Sequence, residues 1–209
     1  MTKKIILSFV FVSGFVFFTI SYGQKTCTYI ADSTIKMTVD KNIELTDFPA
    51  STSINFKEIL NDSIYSDNYT TGKNFGAITK AVLSNDTIFI TSFLMARKAS
   101  LGYKIILTNG SCLIKYFSLA DEDIYTTDTI DRPKYLIYVS CQTTKLIVAQ
   151  RPQFKTGELI EGMIELTTND FWSFNNGHNT KVNVKLKGYF KTSLVKLQPG
   201  EKDIFSLVQ

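Results

Sequence analysis

The chain has 209 residues, 44% of them hydrophobic and 20% charged, with 11 glycines and 4 prolines. That composition excludes a disordered tail, a collagen-like repeat and a cysteine-dense miniature scaffold, and the length suffices to bury a core without metal or disulfide support. Twenty-three basic residues against 19 acidic ones give a formal charge of +4, which hints at anionic partners only if the charge belongs to the folded protein.

Part of it does not. Lys3 and Lys4 precede a nearly unbroken apolar run from Ile5 to Ile20, the basic and hydrophobic regions of a secretory signal, and Ser21 and Gly23 fit the small-residue positions of a cleavage site. Residues 1–23 are therefore expected to be a signal peptide, and residues 24–209 a single domain with 21 basic and 19 acidic side chains, net +2. The run of 16 residues is short of the ~20 that cross a bilayer, and no later segment is apolar enough to span a membrane after cleavage. Export to the periplasm, the cell surface or the medium follows. Cys27 is preceded by Gln24-Lys25-Thr26 instead of a small tripeptide, which argues against a lipidated N-terminus. Arg97, Arg132 and Arg151 are the only arginines, too few for bidentate phosphate or base-edge contacts, so nucleic acid is not an expected partner.

Beyond the signal, apolar and polar residues alternate in short runs bounded by turn residues, the period of half-buried strands. In chain order, strands are predicted over Thr34–Val39, Gly76–Leu83, Thr87–Met95, Tyr103–Thr108, Cys112–Leu119, Lys134–Cys141, Lys145–Gln150, Leu159–Thr167 and Lys181–Lys187. In the last of these every even position is aliphatic and every odd one polar. The stretch Ser51–Asn74 is the loosest, and within it Phe56, Ile59 and Leu60 predict one or two helical turns over Asn55–Asn61. Asn85-Asp86 and Asn109-Gly110 are hairpin turn signals, since these residues tolerate positive φ. Gly162 marks a place for a bulge. The fold expected is all-β, an antiparallel β-sandwich of about eight to ten strands, with a β-barrel as the alternative and little helix beyond the signal.

Three cysteines remain in an exported chain, an odd number that leaves one thiol over. If Cys112–Leu119 and Lys134–Cys141 pair with Ser118 opposite Tyr135, Cys112 falls opposite Cys141, Ile114 opposite Val139 and Tyr116 opposite Ile137. A Cys112–Cys141 disulfide is expected, with Cys27 free.

Catalytic signals are sparse. His178, the single histidine, sits in the polar turn Asn175-Asn176-Gly177-His178-Asn179 and reads as solvated, and no nucleophile elbow is present. Asp121, Glu122, Asp123, Asp128 and Asp131 lack calcium-loop spacing and read as a solvated loop. Asn61, Asn68, Asn85 and Asn109 head glycosylation triplets that an Asn- and Thr-rich chain produces by chance. No cofactor or metal is expected. The patch Phe171-Trp172-Ser173-Phe174 holds the single tryptophan; placed at a sandwich tip, Phe171, Trp172 and Phe174 could stack on a sugar or anchor a partner, and Trp172 could equally plug the end of the core.

The segments Ile160-Glu161-Gly162-Met163-Ile164-Glu165-Leu166 and Lys187-Gly188-Tyr189-Phe190, led in by Val182, Val184 and Leu186, place a glycine among alternating apolar residues. Over about residues 100–192 the chain resembles uncharacterised small secreted β-sandwich families of Bacteroidota, departing from them at Met163-Ile164 and at Tyr189. The resemblance implies an exported sandwich-like domain and transfers no catalytic residue. The expected function is that of an exported, non-enzymatic binding or structural module of the cell envelope, partnered by carbohydrate or another envelope protein. The alternative is a glycan-acting hydrolase using a carboxylate pair.

Overall fold

Alternation along the sequence becomes strand after strand. The computed structural model describes residues 27–43, 52–70, 76–95, 99–175 and 177–196, and the signal-like segment lies outside them. In chain order the elements are β1 (Tyr29–Ala31), α1 (Ile35–Asn42), β2 (Thr52–Leu60), β3 (Ser63–Thr70), β4 (Gly76–Ser84), β5 (Thr87–Met95), β6 (Ala99–Thr108), β7 (Ser111–Ala120), β8 (Tyr125–Thr126), β9 (Leu136–Val148), β10 (Leu159–Thr168), β11 (Phe171–Asn175) and β12 (His178–Lys196). The fold is all-β, as the alternation requires. The twelve described strands exceed eight to ten because they include short pieces such as β1 and β8.

The strands form two hydrogen-bonded layers. One runs β12–β4–β5–β6–β7–β9, and the other runs β3–β2–β12–β10–β9, with β1 on an edge of β9 and β11 and β8 extending beyond β12. The long strands β9 and β12 belong to both layers. Pairing is antiparallel except for β1–β9 and β12–β4. Between the layers, Ile54 and Phe56 of β2 and Ile164 of β10 meet Ile88, Ile90, Ile105 and Ile114 in one core. Each such side chain contributes about 1.5–3 kcal/mol by leaving water. A hydroxyl chain crosses the core: Ser92 Oγ donates to Thr52 Oγ1 at 2.9 Å, and Thr52 Oγ1 donates to the Tyr189 carbonyl at 2.7 Å.

Strand β9 turns the corner between the layers. Ile137 and Val139 face the core in its first half, and Leu146 and Val148 in its second, so the inward parity switches from odd to even. The switch falls where β9 passes Thr167 and Thr168 of β10, at a one-residue register shift. One extra residue in a strand exchanges its two faces. The two strands predicted as Lys134–Cys141 and Lys145–Gln150 are thus one continuous strand with a bulge. Gly162, the expected bulge, instead pairs regularly with Val148 and Phe190. Its role is close approach: a Cβ there would lie 2.6 Å from the Ile147 carbonyl oxygen and 2.7 Å from the Phe190 ring.

Two predicted elements exchange type. Thr34–Val39, expected as a strand, is the start of helix α1. Ile35 and Val39 are buried while Met37 is 82% exposed, a spacing of four that only a helix makes into one face. Asn55–Asn61, expected as helical, belongs to β2, held between β12 and β3. Asn61 and Asp62 both have positive φ, 46° and 65°, the geometry of a tight hairpin turn. The two turns read from sequence are present, with φ of 50° at Asn85 and 94° at Gly110.

The expected Cys112–Cys141 bridge is not formed. The disulfide joins Cys27 to Cys112 with their Cα atoms 5.0 Å apart, and Cys141 is the free cysteine. The β7–β9 register places Ser118 opposite Ile137 and Tyr116 opposite Val139, two residues from the expected one. A shift of two preserves the face of every side chain, so apolar matching alone could not distinguish the registers. Cys112 lies beyond the last β7–β9 pair and bridges the backbone of Cys27 instead.

Candidate functional site

The site is built on the outer face of β2, β12, β10 and β9, whose registers align side chains in rows across four strands. One row is Ser53, Tyr189, Met163 and Ile147; the next on the same face is Asn55, Lys187, Glu165 and Lys145; the third is Lys57, Lys185, Thr167 and Thr143. The first row is largely apolar and lies under α1, where Ile35, Val39 and Ile43 pack on Met163 and Tyr189. Lys191 Nζ pins the helix down, 2.7 Å from Asp40 Oδ1 of α1 and 2.9 Å from Glu161 Oε1 of β10.

Among the described residues, no helix lies over the next two rows. They frame a groove of about 470 Å³ whose floor is the intervening row, Phe56, Leu186, Leu166 and Thr144. Phe56, Leu186 and Leu166 turn their side chains inward to the core. Three strand spacings make the groove about 14 Å across. Its lining holds Lys57, Lys145, Lys185 and Lys187 against the single carboxylate Glu165. Lys187 Nζ lies 2.7 Å from Glu165 Oε1. The hydrogen bond from Lys187 holds the Glu165 carboxyl below its usual range, and the same bond raises the Lys187 ammonium above its own. Glu165 is therefore an anion at neutral pH and neutralises one of the four lysines. Lys57 and Lys185 stand directly opposite each other across β2 and β12.

The aromatic patch read from sequence is strand β11, paired with β12 on one side and β8 on the other. Phe171 faces inward at 1% exposure, its ring 5.9 Å from Tyr116 and 6.2 Å from Tyr125. Trp172 and Phe174 are half-buried on the opposite face, across from Lys181 and Asn179. The three residues expected to act together are thus divided between the core and the surface by the pleat of the strand. Trp172 shares the outer face with the groove, but Lys181 lies four residues from Lys185, about 13 Å along β12. Between them Lys181 pairs with Asp62 at 2.7 Å and Asp170 at 3.9 Å, which separates the two regions electrostatically.

His178 is exposed where β11 turns into β12, opposite Asn175. Asp121, Glu122, Asp123, Asp128 and Asp131 are all exposed, and no cluster of three metal-ligating side chains is present among the described residues. Burial pushes the Cys141 thiol up to about 11, so it is not a thiolate at neutral pH. Among the described residues no helix is long and apolar enough to cross a membrane. No family model, curated protein or solved structure matches the chain.

Sequence reading missed the groove. Its four lysines come from three strands as far apart as Lys57 and Lys187, and only Lys185 and Lys187 announced a common face, through the alternation of Lys181–Lys187.

Proposed function

We propose that this protein is an exported, non-catalytic binding module of the cell envelope whose ligand lies in the groove across β2, β12, β10 and β9. The observation that carries the reading is the change along one sheet face from an apolar row sealed by α1 to two polar rows left open around about 470 Å³. That volume lies within the range of small-ligand sites. The Cys27–Cys112 disulfide is compatible with an oxidising compartment, and the signal-like residues 1–23 and the likeness to secreted sandwich families support export. Glycoside hydrolysis needs two carboxyl groups facing each other across the substrate. The groove lining supplies Glu165 alone, held ionised by Lys187, and so favours binding over hydrolysis.

The test is retention of the exported protein on isolated envelope material and on immobilised neutral and acidic glycans. Thr167→Trp, which fills the groove from its own wall, abolishes retention, whereas Trp172→Ala leaves it unchanged. Retention by none of these supports, or equal retention of wild type and Thr167→Trp at unchanged circular dichroism, overturns the assignment.

A further inference from the structure

Two pairs of lysines face each other directly across described strands, and they differ in what surrounds them. Like charges directly opposite on neighbouring strands repel, with β-carbons about 4.5–5.5 Å apart, yet Lys57 faces Lys185 in the β2–β12 register. Neither has an ion-pair partner among the described residues. The other pair, Lys104 opposite Lys115 across β6 and β7, has each ammonium over an aromatic ring, 5.7 Å from that of Phe89 and 5.9 Å from that of Tyr138, and one row away on β12 Lys187 meets Glu165 of β10 at 2.7 Å. Four lysines against one glutamate leave the groove with a net charge of +3, more than the +2 of residues 24–209 taken together. A local violation without a compensating contact marks a place shaped for something outside the chain.

The kind of anion follows from what surrounds the charges. Thr143 and Thr167 line the groove on the same face as the lysines, and hydroxyls both donate and accept hydrogen bonds, as a sugar does. No arginine lines it, and its one aromatic residue, Phe56, turns into the core. Bidentate phosphate forks and base-stacking platforms are therefore missing. A groove crossing four strands and open above suits a polymer passing over the sheet.

We infer, on the basis of the binding role proposed above, that the groove takes an anionic polysaccharide, its carboxylate or sulfate groups seated among Lys57, Lys185 and Lys145 and its hydroxyls on Thr143 and Thr167. Affinity electrophoresis of the exported full-length product in gels containing polygalacturonate, dextran sulfate, neutral dextran or poly(dT) tests this. Polygalacturonate or dextran sulfate retards the protein and neutral dextran does not; which acidic gel retards more identifies the anion as carboxylate or sulfate. Raising the salt weakens retardation, because exposed charges are screened. The double variant Lys57→Gln/Lys185→Gln binds the acidic polymer at least about tenfold more weakly, since one charged contact alone is worth about a factor of ten. Its Tm rises by about 1–2 °C as the repulsion is relieved, an effect opposite to that of losing a structural contact. Equal retardation by neutral dextran, abolished by Thr167→Trp, overturns the anionic class and leaves the groove standing. Stronger retardation by poly(dT) than by either acidic glycan overturns it in favour of nucleic acid. Absence of retardation by any acidic polymer, or an unchanged affinity in the double variant, overturns it outright.

Discussion

The outer face of β2, β12, β10 and β9 carries two surfaces side by side on the same strands. Toward one end, Tyr189, Met163 and Ile147 are apolar and sealed by Ile35 and Val39 of α1 and by Ile43, which follows it. Two residues further along each strand, Lys187, Glu165 and Lys145 are polar and open. The backbone is the same in both, so the difference lies in side chains alone. Burial makes the first region structural. The second adds like-charge repulsion and little packing and so contributes little to stability, in keeping with the binding role proposed for it.

Removing the tether of the cover has the largest expected effect. Cys27 leads through β1 into α1, and its bond to Cys112 closes a separation of 85 residues. Loss of a loop that size costs on the order of 4–5 kcal/mol on chain entropy alone. The double variant Cys27→Ser/Cys112→Ser should lose this in urea unfolding, and a loss under ~1 kcal/mol would show that β1 and α1 hold themselves in place. Next, Met163→Ala hollows the apolar row and should cost about 2–5 kcal/mol, with faster hydrogen exchange at α1 amides than at β5. Exchange unchanged in α1 would mean that the helix does not depend on this row.

The smallest effect belongs to the open side. Glu165→Gln removes an ion pair between two exposed partners and should cost ~1 kcal/mol or less at pH 7. The Glu165 carboxyl is held below its ordinary value when folded, so its contribution is complete above the unfolded pKa and is lost as pH falls through the lower folded one. The stabilities of wild type and variant should therefore converge in acid. Divergence toward low pH would contradict the Lys187–Glu165 pairing.

Most of the strands were legible because one face of each is buried and alternation reports that directly. Thr34–Val39 misled because Ile35, Met37 and Val39 also alternate; a helix uses only the first and last, and nothing local says that Met37 faces water. The reverse error at Asn55–Asn61 had a remedy in plain view, since Asn61-Asp62 repeats the turn dipeptide recognised at Asn85-Asp86. Cross-strand register was the harder problem. A slip of two residues between β7 and β9 left every face unchanged and moved Cys112 away from Cys141. The groove depends on registers among four strands and so was the least legible feature.

Strand β12 has a kinetic meaning of its own. Its 19 residues pair with β11, β10, β2 and β4, and through it residue 190 meets residue 52. Neither layer is complete until this strand is in place. Such non-local pairing is entropically expensive to close, and folds dominated by it form over milliseconds to seconds. The native sheet therefore cannot form before residue 190 is available to meet residue 52, whatever has already folded between them.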